Sequence, residues 1–338
     1  VAEAEVIAQA QPPAQQSWPN PRLILAAAAV LGLGAGFGVA ILRDSFDRGI
    51  RTAAQLRAAL GVDCLGLMPL IASAGRSRRP RRRDAARNTA ARSLANWPPL
   101  LRLAGTAPMS QAAEAMRRTR ARIDQLPLDS AGGRVIGCVS ARSGEGKSTI
   151  SANLAASMAR SGKRTLLIDW DLRKLSLTAA LETGPLPGFI DIVTRPGDAM
   201  TDVLWQDPVT QLQFLPAGPG APGGLPCPVD LLHTPATQAL IDAVRRHYDY
   251  VVVDLPAMEA ASDADSAAAM VDAVLLVVEW GRTDIDLIAD CLAGTHAVLP
   301  RLMGAVLNKV ELRNMRQYGD YGRARGASYA PARIGPAV

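Results

Sequence analysis

The chain has 338 residues, 49% hydrophobic and 20% charged, long enough for one large or two ordinary domains and too apolar for disorder along its whole length. Its four cysteines form no C-x-x-C pair, and its three histidines, His233, His247 and His296, are scattered. That excludes a disulfide-stapled mini-domain and argues against a zinc finger or a His-rich metal centre. The net charge of +6 is concentrated: residues 72–109 hold nine Arg and one Asp, a net of +8, leaving about −2 elsewhere. No basic face for nucleic acid is therefore expected.

Leu23 to Leu42 is a run of 20 uncharged residues. As a helix it is about 30 Å long, the thickness of a bilayer core, so residues 21–43 are expected to form a transmembrane helix. No basic n-region precedes it, and the run exceeds the ~15 residues of a signal-peptide core. Glu3, Glu5 and Arg22 come before it; Arg43, Arg48, Arg51 and Arg57 follow. The positive-inside rule then places residues 1–20 outside and everything from Arg43 onward in the cytoplasm, with Cys64, Cys138, Cys227 and Cys291 as free thiols. Gly32, Gly34, Gly36 and Gly38 include G-x-x-x-G spacings, which permit close helix packing but are equally tolerated in lipid. The first residue is Val, not Met, so a longer polypeptide is expected upstream.

Residues 44–71, with Leu56, Leu60, Leu65, Leu67 and Leu70, read as a juxtamembrane amphipathic helix and an extended piece. Residues 72–109 read as an Arg-rich flexible linker. Near a membrane its arginines are either solvated or rest on anionic lipid, each charge then worth ~1 kcal/mol. From Ser110, a helix N-cap after Pro108, helices and strands alternate. Strands are expected at 135–140, 165–169, 212–218, 250–254, 273–279 and 303–310, and helices at 110–126, 147–162, 236–249 and near 283–298. The strands are continuous Val/Leu/Ile runs, the mark of a parallel sheet covered on both faces. A doubly wound α/β domain of about 200 residues follows, with its ligand site at the carboxyl ends of the strands.

The first of these strands runs into SARSGEGKST. Ala141, then four residues, then Gly146-Lys147-Ser148 fits a Walker A loop with Ala in the first position. Gly144 and Gly146 let backbone N–H groups curl around phosphate oxygens. Lys147 can reach the β- and γ-phosphates, Ser148 can ligate Mg²⁺, and the helix that follows aims its N-terminus at the same anion. Asp169, Asp171 and Arg173 follow the strand TLLID; Asp254 ends the strand YVVVD and precedes Leu255-Pro256. Carboxylates ending apolar strands lie where the metal of a P-loop site must be; the plainer alternative is that each caps a loop.

SARSGEGKST, LLIDWDLRK and YDYVVVDLP resemble the Walker A, Walker A′ and Walker B motifs of bacterial tyrosine kinases, which are fused to the chain-length-determinant proteins of capsule and exopolysaccharide export. Residues 19–70 look like that family's second membrane helix and the segment leading to its kinase. The resemblance implies a P-loop NTPase fold of the deviant Walker type. It makes residues 1–20 the end of a periplasmic domain, 110–315 a cytoplasmic kinase domain at the inner membrane, and 316–338 a tyrosine-containing tail. It implies ATP and Mg²⁺ as cofactors. Ser143, Gly144, Glu145, Gly146, Lys147, Ser148 and Thr149 would bind nucleotide. Ser148, Asp169 and Asp254 would hold the metal. Lys147, Asp169, Asp171 and Asp254 would be catalytic, with Asp171 accepting the tyrosine proton.

Glu114-x-x-Arg117-x-x-Arg120 matches the family's oligomerisation motif, with all three on one helical face. A homo-oligomeric ring phosphorylating Tyr318, Tyr321 and Tyr329 between neighbours is implied. Its partners would be membrane lipid, a polysaccharide polymerase with its export machinery, and a cognate tyrosine phosphatase, but no nucleic acid. Three of the chain's five tyrosines fall in the tail, fewer than the family's usual cluster. Cys227 stands where Asn is common, Leu255 where Thr is usual, and Arg142 where related partition-type ATPases carry an extra lysine. Absence of HRD and DFG motifs excludes a eukaryotic-type kinase. A nucleotide-binding co-polymerase scaffold without kinase activity and a membrane-tethered partition-type ATPase are the competing readings.

Overall fold

A computed structural model describes residues 20–46, 49–71, 92–125, 132–181, 186–195, 200–218 and 227–315. The Arg cluster of residues 76–87 and the tail with Tyr318, Tyr321 and Tyr329 lie outside these. The chain divides into two units, Val1–Arg48 and Gly49–Val338. In the first, helix α1 (Pro21–Phe46) includes the stretch Pro21–Val39, with a mean hydropathy of 1.9 and no buried residue. Leu31 and Leu33 are 73% and 75% exposed, and no polar stripe relieves the apolar surface. It is a helix long and apolar enough to cross a bilayer.

The second unit is built on one eight-stranded sheet. Its strands are β1 (Cys64–Pro69), β2 (Arg134–Ser140), β3 (Thr165–Asp169), β4 (Trp205–Gln206), β5 (Gln213–Leu215), β6 (Tyr250–Asp254), β7 (Ala273–Glu279) and β8 (Leu302–Val310). They lie in the order β1-β8-β7-β2-β6-β3-β5-β4. All neighbours are parallel except β4 and β5, which pair antiparallel at one edge. The doubly wound fold read from the apolar runs is present.

Both faces of the sheet are buried, because side chains alternate along each strand. From β2, Val135 and Val139 enter one core while Ile136 and Cys138 enter the other. The first core is closed by α2 (Ala53–Leu60), α6 (Pro235–His247), α7 (Ala261–Ala268) and α8 (Ile285–Ala293). The second is closed by α4 (Gln111–Asp124) and α5 (Lys147–Arg160). Ser110 caps α4 as expected, accepting the Ala113 N–H at 3.2 Å. All four cysteines are free thiols.

The folded unit begins earlier than residue 110. The stretch after α1 supplies α2, opened by a Thr52/Gln55 capping box and closed by Gly61 at φ +68°, and then β1, which pairs with β8. Residues 93–109, expected to belong to the flexible linker, are folded too. Ser93 bridges to Gln206, and α3 (Leu103–Thr106) follows two short 3₁₀ turns. Leu94, Trp97, Leu103 and Ala104 are buried, and the Trp97 ring lies 4.9 Å from that of Phe214. Arg102 pairs with Asp207 at 2.7 Å, both side chains largely buried. The nine arginines of 72–109 masked an apolar turn in composition at about residue 93.

Candidate nucleotide-binding and catalytic site

At the carboxyl ends of β2, β3 and β6 the chain brings together what the sequence placed far apart. The β2–α5 loop turns on Gly144 and Gly146, at φ +90° and +96°. These left-handed conformations favour glycine. A Cβ on Gly146 would lie 2.1 Å from Asn308 Nδ2, whose amide donates to Glu145 O at 2.7 Å. Gly146→Ala is therefore expected to disturb the loop and weaken nucleotide binding by about tenfold or more, measured by titration.

Lys147, the first residue of α5, lies almost buried with Nζ 2.7 Å from Asp171 Oδ2 and 3.5 Å from Asp254 Oδ1. Burial would push the ammonium down, but the Asp254 and Asp171 carboxylates outweigh it and hold the pKa above its usual value. Asp169 and Asp254 are opposite each other on adjacent strands. Thr178 N and Oγ1 hold Asp169 Oδ2 at 2.9 and 2.8 Å. Ser151 Oγ reaches Asp254 Oδ1 at 3.1 Å. Yet Asp169 Oδ1 and Asp254 Oδ2 are buried without a hydrogen-bond partner.

Orphaned carboxylate oxygens of this kind carry a large desolvation cost unless a cation meets them. No cluster of three or more His, Cys, Asp or Glu suited to a metal occurs among the described residues. Mg²⁺ needs none, since one or two carboxylates, a hydroxyl, phosphate oxygens and water satisfy it. Ser148, Asp169 and Asp254 therefore fit a Mg²⁺ ion.

Burial, and then the Asp254 charge, raise the Asp169 pKa from 3.8 to about 7. A carboxyl raised in the fold stabilises while protonated. Its contribution is full below the unfolded pKa and is lost as pH rises through the folded one. Chelator-treated protein should thus lose stability between about pH 4 and 7, whereas Mg²⁺, which binds the ionised pair, should stabilise more as pH rises. Melting temperatures across this range, with and without Mg²⁺, check both slopes.

Asp171 is 3% exposed. One oxygen holds Lys147, and the other accepts the Lys174 N–H at 3.2 Å. The Glu145 carboxylate turns inward, accepting the Arg142 N–H at 3.1 Å and the Thr283 hydroxyl. Only the backbone of Glu145 is left to face a phosphate. Thr149 O accepts Asn153 Nδ2 at 2.8 Å. Arg142 is exposed.

Glu114 pairs with Arg117 at 2.7 Å and Arg118 at 3.0 Å on its own helix, and Arg120 donates to Ser157 O at 3.2 Å. Leu255 is fully buried and fills the space above Gly137, where a Cβ would lie 2.5 Å from its Cδ1. Its departure from the usual Thr is a packing choice. Sequence reasoning missed Thr178, Glu259, Thr283, Asn308 and Lys309. None of them carries a motif: Thr178 reaches Asp169 from the next helix, and the other four reach the loop from distant elements.

Residues 136–325 match the CobQ/CobB/MinD/ParA nucleotide-binding domain family. The succinoglycan biosynthesis transport protein ExoP of Rhizobium meliloti (strain 1021) is 36% identical, over 95% of this chain and 41% of that protein. The chain thus spans about two fifths of ExoP's length. The tyrosine-protein kinase CpsD of Streptococcus agalactiae is 30% identical, over 56% of this chain and 80% of that protein. Among solved structures, the BceF tyrosine kinase domain superposes with a TM-score of 0.59 at 27% identity, covering 78% of this chain and 99% of that one. With the P-loop, the two aspartate-tipped strands and these relatives together, the chain belongs to the bacterial tyrosine-kinase family, built on the CobQ/CobB/MinD/ParA type of nucleotide-binding domain and related to exopolysaccharide export proteins.

Proposed function

We propose that the chain is a membrane-anchored, ATP-dependent protein-tyrosine autokinase that regulates exopolysaccharide or capsule polymerisation, chain length and export. The observation that carries this reading is the Lys147 ammonium held between Asp171 and Asp254 at the mouth of a P-loop, beside two unsatisfied carboxylate oxygens. The apolar helix α1 and the arginines after it support an anchor in the bacterial inner membrane with the kinase unit in the cytoplasm.

Phosphoryl transfer is mainly a matter of positioning and of neutralising charge on the transferring group. The loop glycines expose backbone N–H groups to the phosphates, and the N-terminus of α5 adds its partial positive charge. Mg²⁺, when bound at Ser148, Asp169 and Asp254, neutralises phosphate charge. Phosphates also draw Lys147 toward themselves, releasing Asp171 Oδ2. Asp171 can then accept the proton of a tyrosine hydroxyl, whose pKa of about 10 keeps it protonated at cytoplasmic pH.

The acceptor is a tail tyrosine, Tyr318, Tyr321 or Tyr329, of a neighbouring protomer in a ring. Glu114, Arg117 and Arg120 are the docking residues. Glu114 and Arg117 are 27% and 41% exposed at their side chains, so a neighbour can still reach them. Each phosphate adds about −1.5 to −2 charge, and repulsion between modified tails loosens the ring. Such loosening would couple phosphorylation to the polymerase and export machinery, and a cognate phosphatase would reset it.

Incubating the detergent-solubilised chain with γ-labelled ATP and Mg²⁺ tests this. The expected result is phosphotyrosine that disappears in Lys147→Ala and on removal of residues 316–338. Phosphate release without protein label would make the chain an ATPase; neither signal would leave a nucleotide-binding scaffold.

A further inference from the structure

We infer that Lys174 binds the outermost phosphate of ATP and is the side chain that distinguishes a nucleoside triphosphate from a diphosphate, an assignment resting on the nucleotide site proposed above. Two contacts meet at Ser143, in the outer half of the P-loop. Its backbone N–H donates to Glu259 Oε1 at 3.0 Å, and its hydroxyl accepts from Lys174 Nζ.

In a P-loop such N–H groups serve phosphate oxygens. The Glu259 oxygen therefore marks where an anionic oxygen of a ligand sits, and Lys174 is the cation beside that place. Gly146, Lys147 and Ser148 open α5 and face the inner phosphates. Ser143 lies three residues before Gly146, toward the end of the β2 strand, so the oxygen it serves belongs to the phosphate beyond them.

Charge balance singles out the same residue. Lys147 is committed to Asp171 and Asp254, Lys309 to Glu279 at 2.8 Å, and Arg173 to Asp263. Lys174 pairs with no carboxylate among the described residues. Arg142 also lacks one there, but no contact of its guanidinium with the loop is seen among them, whereas Lys174 reaches in.

The chain is built to aim Lys174. Asp171 accepts the Lys174 N–H at 3.2 Å through its carboxylate and the Leu175 N–H at 2.7 Å through its carbonyl. Leu175 then turns the backbone at φ +52°. Lys174 and the proposed base Asp171 thus sit on one tight turn and flank the same reacting group. A cation there meets the charge that spreads over the equatorial oxygens during transfer.

The test compares binding of MgADP and of a non-hydrolysable Mg²⁺–ATP analogue to the full chain in detergent micelles, for wild type, Lys174→Ala and Lys174→Arg. Losing a charge-assisted contact to phosphate should weaken the analogue about tenfold or more in Lys174→Ala while MgADP changes less than about twofold. Lys174→Arg should restore most of the difference. Equal weakening of both nucleotides, or of neither, would overturn the assignment while leaving the nucleotide site standing. Failure of the wild type to bind either nucleotide would overturn both.

Discussion

Lys147→Ala is expected to abolish nucleotide-dependent phosphorylation and also to lower the thermal stability of the unliganded protein. The side chain is 6% exposed and stands between two carboxylates, with a third, Asp169, beside Asp254. Removing it deletes the cation that reaches the phosphates and leaves three buried acids with no counter-charge. Breaking a buried ion pair on one side costs about 3–5 kcal/mol.

The acids can escape part of that cost by taking up protons, and burial has already raised Asp169 and Asp254. A carboxyl whose folded pKa is raised favours the fold while protonated, so the penalty shrinks as pH falls. Calorimetry of the variant and wild type at pH 5 and pH 8 should therefore show the larger gap at pH 8. A variant as stable as wild type at pH 8 would contradict the geometry of the site. Mg²⁺ should restore part of the stability and none of the phosphoryl transfer.

Asp171→Asn separates chemistry from binding. The amide keeps the shape and can still accept the Lys174 N–H, but it cannot take a proton at neutral pH. The expected result is a fall in kcat of about 10²–10⁴ with KM for ATP altered only a few-fold, because general-base catalysis is worth that much. Steady-state phosphorylation of a tyrosine peptide checks both. An unchanged kcat would remove Asp171 from the mechanism and leave it only its structural bond to Lys147.

The centre of the site was legible because its chemistry is written locally. A continuous apolar strand, two loop glycines and Lys147-Ser148 at a helix start lie within fifteen residues, and Asp169 and Asp254 each end an apolar run. Its supports were not legible. Thr178 holds Asp169 from the next helix. Asn308 and Lys309 brace the P-loop carbonyls from the end of β8, more than 160 residues away in sequence, and Thr283 pins Glu145 from the end of β7. Only strand order puts Thr283, Asn308 and Lys309 within reach of the loop.

The edges of the sheet were harder for a different reason. β4 has two residues and no period to read, whereas β1 falls in the extended piece expected within residues 44–71. Between them, residues 93–109 carry Leu94, Trp97 and Leu103 into the core, but arginines upstream set the composition of the whole stretch. Charge density there concealed packing.

A nucleoside triphosphate and a divalent cation are expected between Gly146–Ser148 and the tips of β3 and β6. Isothermal titration of the full chain in detergent with ATP analogue, in Mg²⁺ and then in EDTA, measures this directly. The expected result is saturable one-site binding in Mg²⁺ that weakens about tenfold or more in EDTA and loses its Mg²⁺ dependence in Asp254→Asn. Absence of binding, or binding indifferent to both EDTA and Asp254→Asn, would contradict it.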